Sequence, residues 1–192
     1  MIAAWNSHAL KEWVVTVQVL RQGRQILLVR KGGIHEQRNG FSLKHQEFFL
    51  FPTVLHQNAS SIHRAFQADF ENLTVPVGDS VRFDTYALVR ETIHIRELES
   101  LRPLDGLHTL NWKSVEQRFH YRNRPGLNLL LLQIYALPSA HELEHIKQYE
   151  GCVSWVDLDR RLSTAGAQSV LSQDEFDDQV ENIRHLVGKQ VV

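Results

Sequence analysis

The sequence predicts an α+β fold: one domain over 1–192, with a mixed, largely antiparallel sheet flanked by helices and a C-terminal helix at 170–188 packed on it. Three observations carry this expectation. Strand-like and helix-like stretches alternate irregularly, several apolar runs are rich in β-branched residues, and the last stretch has one apolar face. A length of 192 residues suffices for one full core, and 43% hydrophobic with 22% charged residues is ordinary for a globular chain.

Taken in order, Glu12 to Leu20 (EWVVTVQVL) is dense in valine and is followed by the turn Arg-Gln-Gly-Arg before Gln25 to Arg30 resumes, so a hairpin is expected. A helix over Ala9 to Leu20 is the rival, because Leu10, Trp13, Val14 and Val17 also fit helical spacing. Phe48 to Phe51 reads as a short buried strand stopped by Pro52. Asn58, Ser60 and Ser61 are capping residues ahead of Ile62, Ala65, Phe66, Asp69 and Phe70, which predicts a helix over Ala59 to Leu73.

Val81 to Glu97 alternates and reads as one long or two shorter strands; Leu110 to His120 reads as a short helix. Leu127 to Leu137 is the most apolar strand, and its run Leu129 to Leu132 implies burial on both faces. Pro138 and Ser139 are expected to open a helical turn through Tyr149, with Cys152 to Leu158 as a last strand. Ser172 with Glu175 is a capping-box pattern, followed by Phe176, Val180, Ile183, Leu186 and Val187 on one face.

Several partners and chemistries are excluded at this level. No apolar run approaches the ~20 residues of a spanning helix, so no membrane partner is expected. The N-terminus lacks a signal peptide's basic start and apolar core, and the single Cys152 cannot close an intrachain disulfide; a cytoplasmic protein is expected. A net charge of -1 argues against a nonspecific nucleic-acid coat. Locally, however, Arg21, Arg24, Arg30, Lys31 and Arg38 outnumber Glu36. Walker, nucleophile-elbow and Cys-x-x-Cys motifs are absent, as is the Glu-x-Lys that ends a common nuclease signature. Cys152, followed by the apolar Val153 and Trp155, is expected to be buried and inert.

The candidate site lies between Gly23 and Gln57. Arg30 and Lys31 supply charge and Gly32 and Gly33 permit close backbone approach, the makings of a phosphate nest, with Glu36 placed to orient the arginine or accept from a base or sugar. Pro52 and Thr53 turn the chain toward His56 and Gln57, ahead of an expected helix N-terminus, and His56 suits general acid–base work near neutrality. His141-Glu142-Leu143-Glu144-His145 matches the letters of a zinc-hydrolase motif, but Pro138 and Gly151 confine it to a short polar segment, so no metal or other cofactor is expected. Phe119, Tyr121, Arg118, Arg122 and Arg124 offer aromatic and cationic groups able to stack on nucleic-acid bases.

The stretches ALKEW, LLVRKGGIHE, FLFPTVLHQ, YALPSAHEL and YEGCVSWVDL resemble a bacterial family, common in cyanobacteria, catalogued as domain of unknown function 1802. The resemblance brings no chemistry of its own; it adds Lys11 and Glu12 to Arg30, Lys31, Gly32, Gly33, Glu36, Pro52, Thr53, His56 and Gln57 as matched positions. The element order also resembles a Nudix layout, yet Ala65 and Ala68 stand where metal-binding glutamates belong. A PUA-like barrel is the alternative, echoed by Gly23 and Arg30. The expected partner is a phosphate-bearing ligand, a nucleotide or nucleic acid. Catalysis by His56 or Glu36 and a ligand-free interaction domain are the alternatives.

Overall fold

The computed structural model describes residues 1–31, 34–37, 40–73 and 79–188, with the side chains of 34–37 and 40–42 outside the description. Its centre is a seven-stranded sheet. Strands β1 (Trp5–Trp13), β2 (Leu27–Arg30), β5 (Glu47–Thr53), β6 (Ser80–Ile95), β7 (Leu127–Glu144) and β8 (Trp155–Ser163) run in the order β2-β7-β6-β5-β1-β8, and the short β9 (Gln168–Ser169) also pairs with β7. Strands β3 (Ile34–Gln37) and β4 (Gly40–Leu43) form a separate hairpin. Every pairing is antiparallel except β1 with β5, so the sheet is mixed and largely antiparallel, as expected.

Alternation along the strands divides the core between the two faces of the sheet. Leu27, Val29, Leu129 and Leu131 join one cluster, whereas Leu28, Leu130 and Leu132 join another with Leu10, Phe48 and Leu50. The leucine run of β7 is therefore buried on both sides. The first cluster is roofed by helix α3 (Trp112–Phe119) and helix α4 (Gln173–Gly188) through Val115, Phe119, Phe176, Val180 and Ile183. The capping box at the start of α4 forms: the Ser172 N–H donates to Glu175 Oε2 at 2.8 Å and the Glu175 N–H donates to Ser172 Oγ at 3.3 Å. The Ser172 N–H and hydroxyl, both donating to Glu175 Oε2 at 2.8 Å, hold the Glu175 carboxyl below its ordinary pKa.

Four expectations are corrected. The chain forms strand through Trp13 and then helix α1 (Val14–Arg21), not a hairpin strand over Glu12 to Leu20. Helical spacing wins over valine's β preference because it serves two cores at once: Val17 and Leu20 enter one cluster, Val15 and Val19 another. Gly23, at φ +71°, then reverses the chain. The expected helix over Ala59 to Leu73 is two 3-10 turns, Ala59–Ser61 and Arg64–Phe66, and a short helix α2 (Gln67–Glu71). Ile62 breaks it by adopting an extended conformation and bridging to Leu110.

Strand β5 continues through Pro52, because β6 pairs only with Glu47–Phe49 and leaves one edge of β5 without ladder bonds, where proline is tolerated. Strand β7 likewise runs through Pro138 to Glu144 in place of the expected helical turn. Its register with β6 jumps from Thr85↔Ala136 to Phe83↔His141, so Pro138 lies outside that ladder and removes no bond from it.

Candidate functional site

The site is built where the two parallel strands end. At Trp13 the chain of β1 turns into α1, at Thr53 β5 gives way to a turn, and α3 crosses nearby. Between them lies a cleft made of two cavities of ≈ 500 and ≈ 260 Å³ that share Trp13, Arg30, His56, Arg118 and Ser154. This volume lies in the range of small-molecule sites.

Charge at the floor is set by three residues. Glu12 is buried, and its Oε2 accepts from Arg30 Nη1 at 2.7 Å, with side-chain exposures of 6% and 11%. Arg118, on α3, donates from Nη1 to the Val29 carbonyl at 3.0 Å and lies over the Trp13 ring, 5.2 Å from its centroid. Burial pulls the Arg118 pKa down, the Glu12 carboxylate acts against this, and Arg30 acts with it. Two guanidiniums thus share one carboxylate. Among the described residues Arg30 and Arg118 each bond protein through Nη1 alone, which leaves further N–H donors on both.

The rim carries the other groups. Trp13 is fixed by its indole N–H, which donates to the Leu55 carbonyl at 3.1 Å. Tyr121, just after α3, is 54% exposed and lines the larger cavity. His56 sits in the left-handed region at φ +60°, a conformation that costs a non-glycine residue about 1–2 kcal/mol. Its Nε2 is 3.5 Å from Cys152 Sγ. Cys152 is exposed and lines the smaller cavity, which corrects the expectation of a buried, inert thiol: the strand after it begins only at Trp155, so Cys152 belongs to the preceding turn.

Of the residues singled out in the sequence, Lys11, Glu12, Arg30, Lys31, Thr53 and His56 line the cleft. Lys31 is also a brace: its ammonium donates to the carbonyls of Phe119 at 3.0 Å, Gly126 at 2.7 Å, and Arg124. The Lys11 ammonium donates to the carbonyls of Gly151 at 3.0 Å and of Tyr149, and burial draws its pKa down while Cys152 acts the other way. Gln57 takes the N–H of Val15 on its side-chain oxygen at 3.1 Å and so satisfies the first turn of α1. Pro52 lines a separate cavity of ≈ 160 Å³ with Phe51 and His145. Gly32 and Gly33 lie outside the described residues, and Glu36 is placed on β3 with its side chain outside them.

The cleft also recruits residues that the sequence reading left out of the site. Trp13 stands in the ALKEW stretch, and Arg118 with Tyr121 in the aromatic and basic stretch after Leu110. Their presence there was a usable signal. Their meeting in one cleft beside Arg30 was not, because it depends on α3 folding back over the ends of β1 and β2.

The zinc-like motif is on strand, not helix. At about 3.3 Å per residue, positions four apart in an extended chain are separated by about 13 Å. His141 bonds the Ser163 carbonyl at 2.8 Å, while His145 stands edge-on to Phe51 and Tyr149.

A family model described as Domain of unknown function (DUF1802) matches residues 9–182. No curated protein matches the chain. Among solved structures, the ASCH protein of Zymomonas mobilis is similar at 11% identity and a TM-score of 0.43, covering 91% of this chain and 93% of that one. A single-substitution variant of it gives 12% identity, a TM-score of 0.43, and coverages of 94% and 99%. Likeness at this level transfers neither a fold assignment nor a ligand.

Proposed function

We propose that this chain, which belongs to the DUF1802 family, is a cytoplasmic domain that binds a phosphate-bearing ligand in the cleft, with single-stranded nucleic acid as the ligand class. The observation that carries the reading is the pair Arg30 and Arg118 over the carboxylate of Glu12, which among the described residues makes a floor with one net positive charge and guanidinium donors left over. Arginine forks match phosphate oxygens, and a partly desolvated setting strengthens each bond. Trp13 and Tyr121 supply flat faces on which bases stack without regard to sequence. Two connected cavities accommodate more than one nucleotide unit, which favours a strand over a mononucleotide. The net charge of -1 keeps binding local to the cleft.

Tyr121→Ala tests the stacking half of this reading cleanly, because the side chain is mostly exposed and its loss leaves the fold intact. Fluorescence anisotropy of a labelled single-stranded oligonucleotide is expected to show affinity reduced by about 1–3 kcal/mol, roughly 5- to 150-fold, with an unchanged unfolding midpoint. Equal affinity would remove Tyr121 from the site.

A catalytic version is favoured by one observation, the strained His56 beside Cys152 in the same cleft. There His56 takes a proton from a water that attacks the phosphodiester phosphorus, the P–O bond to one sugar breaks and its oxygen leaves with a proton from solvent, and Arg30 and Arg118 stabilise the developing charge. For His56→Ala, retained oligonucleotide binding with lost cleavage is the expected outcome. If the wild-type protein leaves a bound oligonucleotide intact, the cleft binds without turnover.

A further inference from the structure

A second cluster lies on the other part of β1. His8 and Asp157 are register partners across β1 and β8, and His45 comes from the turn that precedes β5. His8 Nδ1 and Asp157 Oδ1 are 2.8 Å apart. The His8 and His45 rings stack at 3.6 Å, and Trp155 covers His45 edge-on at 5.0 Å. One donor atom from each of His8, His45 and Asp157 lies within 4.8 Å of the other two. The decisive detail is His45 Nε2, which is shielded from solvent and has no hydrogen-bond partner among the described residues. A buried polar nitrogen left unpaired costs free energy, so an unmet imidazole lone pair beside a histidine–carboxylate pair needs an explanation.

We infer that His8, His45 and Asp157 form a binding site for a divalent transition-metal ion of the zinc type. Two imidazoles and one carboxylate are the donor set of borderline cations; magnesium and calcium require oxygen ligands throughout. Three protein ligands leave a fourth position for water. A tetrahedral ion with bonds of about 2.05 Å holds its donors about 3.3 Å apart. The His8–Asp157 pair already stands within that spacing, and the remaining gap closes when the His45 ring turns out of the stack and directs Nε2 at the ion. The metal takes the place of the proton between His8 and Asp157 and meets the orphaned nitrogen in one step.

Lys44 opposes the ion: its ammonium is 3.5 Å from Asp157 Oδ2 and swings away on binding. A bound ion ties edge strand β8 and the turn before β5 to β1, the strand that ends in the cleft. No local sequence motif signals the site, since its ligands stand at positions 8, 45 and 157.

The test is calorimetric titration of chelator-stripped protein with zinc chloride, repeated with cobalt chloride while visible d–d absorption is followed. One saturable site per chain is expected, with cobalt bands of a four- or five-coordinate ion. His45→Ala should abolish that site and Asp157→Asn should weaken it at least tenfold. Lys44→Met should tighten it several-fold, an effect that chance binding elsewhere does not produce. Both ligand variants alter surface-proximal side chains, and metal-free melting curves check that they fold. Absence of saturable binding overturns the proposal, as does equal binding in His45→Ala, or loss in His141→Ala with retention in His45→Ala.

Discussion

Replacing Glu12 with glutamine is expected to destabilise the protein by about 3–5 kcal/mol, the usual consequence of removing one partner from a buried ion pair. The substitution keeps the shape of the side chain and removes the carboxylate that, among the described residues, balances Arg30 and Arg118, so the loss is one of charge and not of packing. The same change creates an unneutralised anion site. Millimolar inorganic phosphate should therefore raise the melting temperature of Glu12→Gln by more than it raises that of the wild type, because a ligand of the native state stabilises it by mass action. Denaturant titration with and without phosphate checks both halves. A variant as stable as the wild type would mean that the two guanidiniums do not depend on Glu12.

The second large effect is on acid stability, and its origin is His108. This residue is 2% exposed and its Nδ1 has no hydrogen-bond partner among the described residues. Burial first, then repulsion by Arg118 and His63, lowers its pKa to about 4. An unfolded chain restores the ordinary value near ~6.5. Between those two values the unfolded chain binds a proton that the folded chain refuses, so the contribution is fully present above pH ~6.5 and is lost as the pH falls toward 4. The loss across that window is about 3 kcal/mol. Unfolding free energies at pH 7 and pH 4.5 should differ by roughly this amount in the wild type and much less in His108→Leu. Parallel pH profiles for the two proteins would place the acid sensitivity elsewhere. His108 and Arg118 line the same small cavity with Glu12, so protonation there also places a second cation behind the arginine of the cleft.

Much of the architecture was legible because the core repeats a period. Val81 to Glu97 alternates as a half-buried strand does, the apolar run within Leu127 to Leu137 marks a strand buried on both faces, and the capping box with Phe176, Val180 and Ile183 marks the last helix. The boundary between β1 and α1 was not. Val14 to Leu20 carries strand propensity in every local window, and only the presence of two separate cores beside it makes the helix the better packing. Pro138 misled in the opposite direction, because proline stops a strand only where its ladder needs the missing N–H, and a register jump removes that need.

For the site, the sequence located the strand ends but not what they meet. Arg30 and His56 were legible as charged or polar groups at the close of apolar runs, and Lys11 and Glu12 only through the resemblance to the family. That Gln57 caps a helix, that Lys31 braces three carbonyls and that Cys152 opens onto the cleft depend on contacts between residues far apart in the chain. The His8, His45 and Asp157 cluster is the extreme case, with three segments brought together only by the sheet order.

The cleft contains the chain's single cysteine, which makes occupancy directly readable. Cys152 is exposed, and mass spectrometry can follow its alkylation by iodoacetamide without ambiguity. The measurement is the rate of that alkylation in the presence and absence of a saturating short single-stranded oligonucleotide, at low salt. Binding in the cleft predicts at least a severalfold slower reaction with the oligonucleotide present, and no such protection in Tyr121→Ala at the same concentration. An alkylation rate unchanged by an oligonucleotide that binds the protein, or no binding at all, would contradict the assignment of the cleft as a nucleic-acid site.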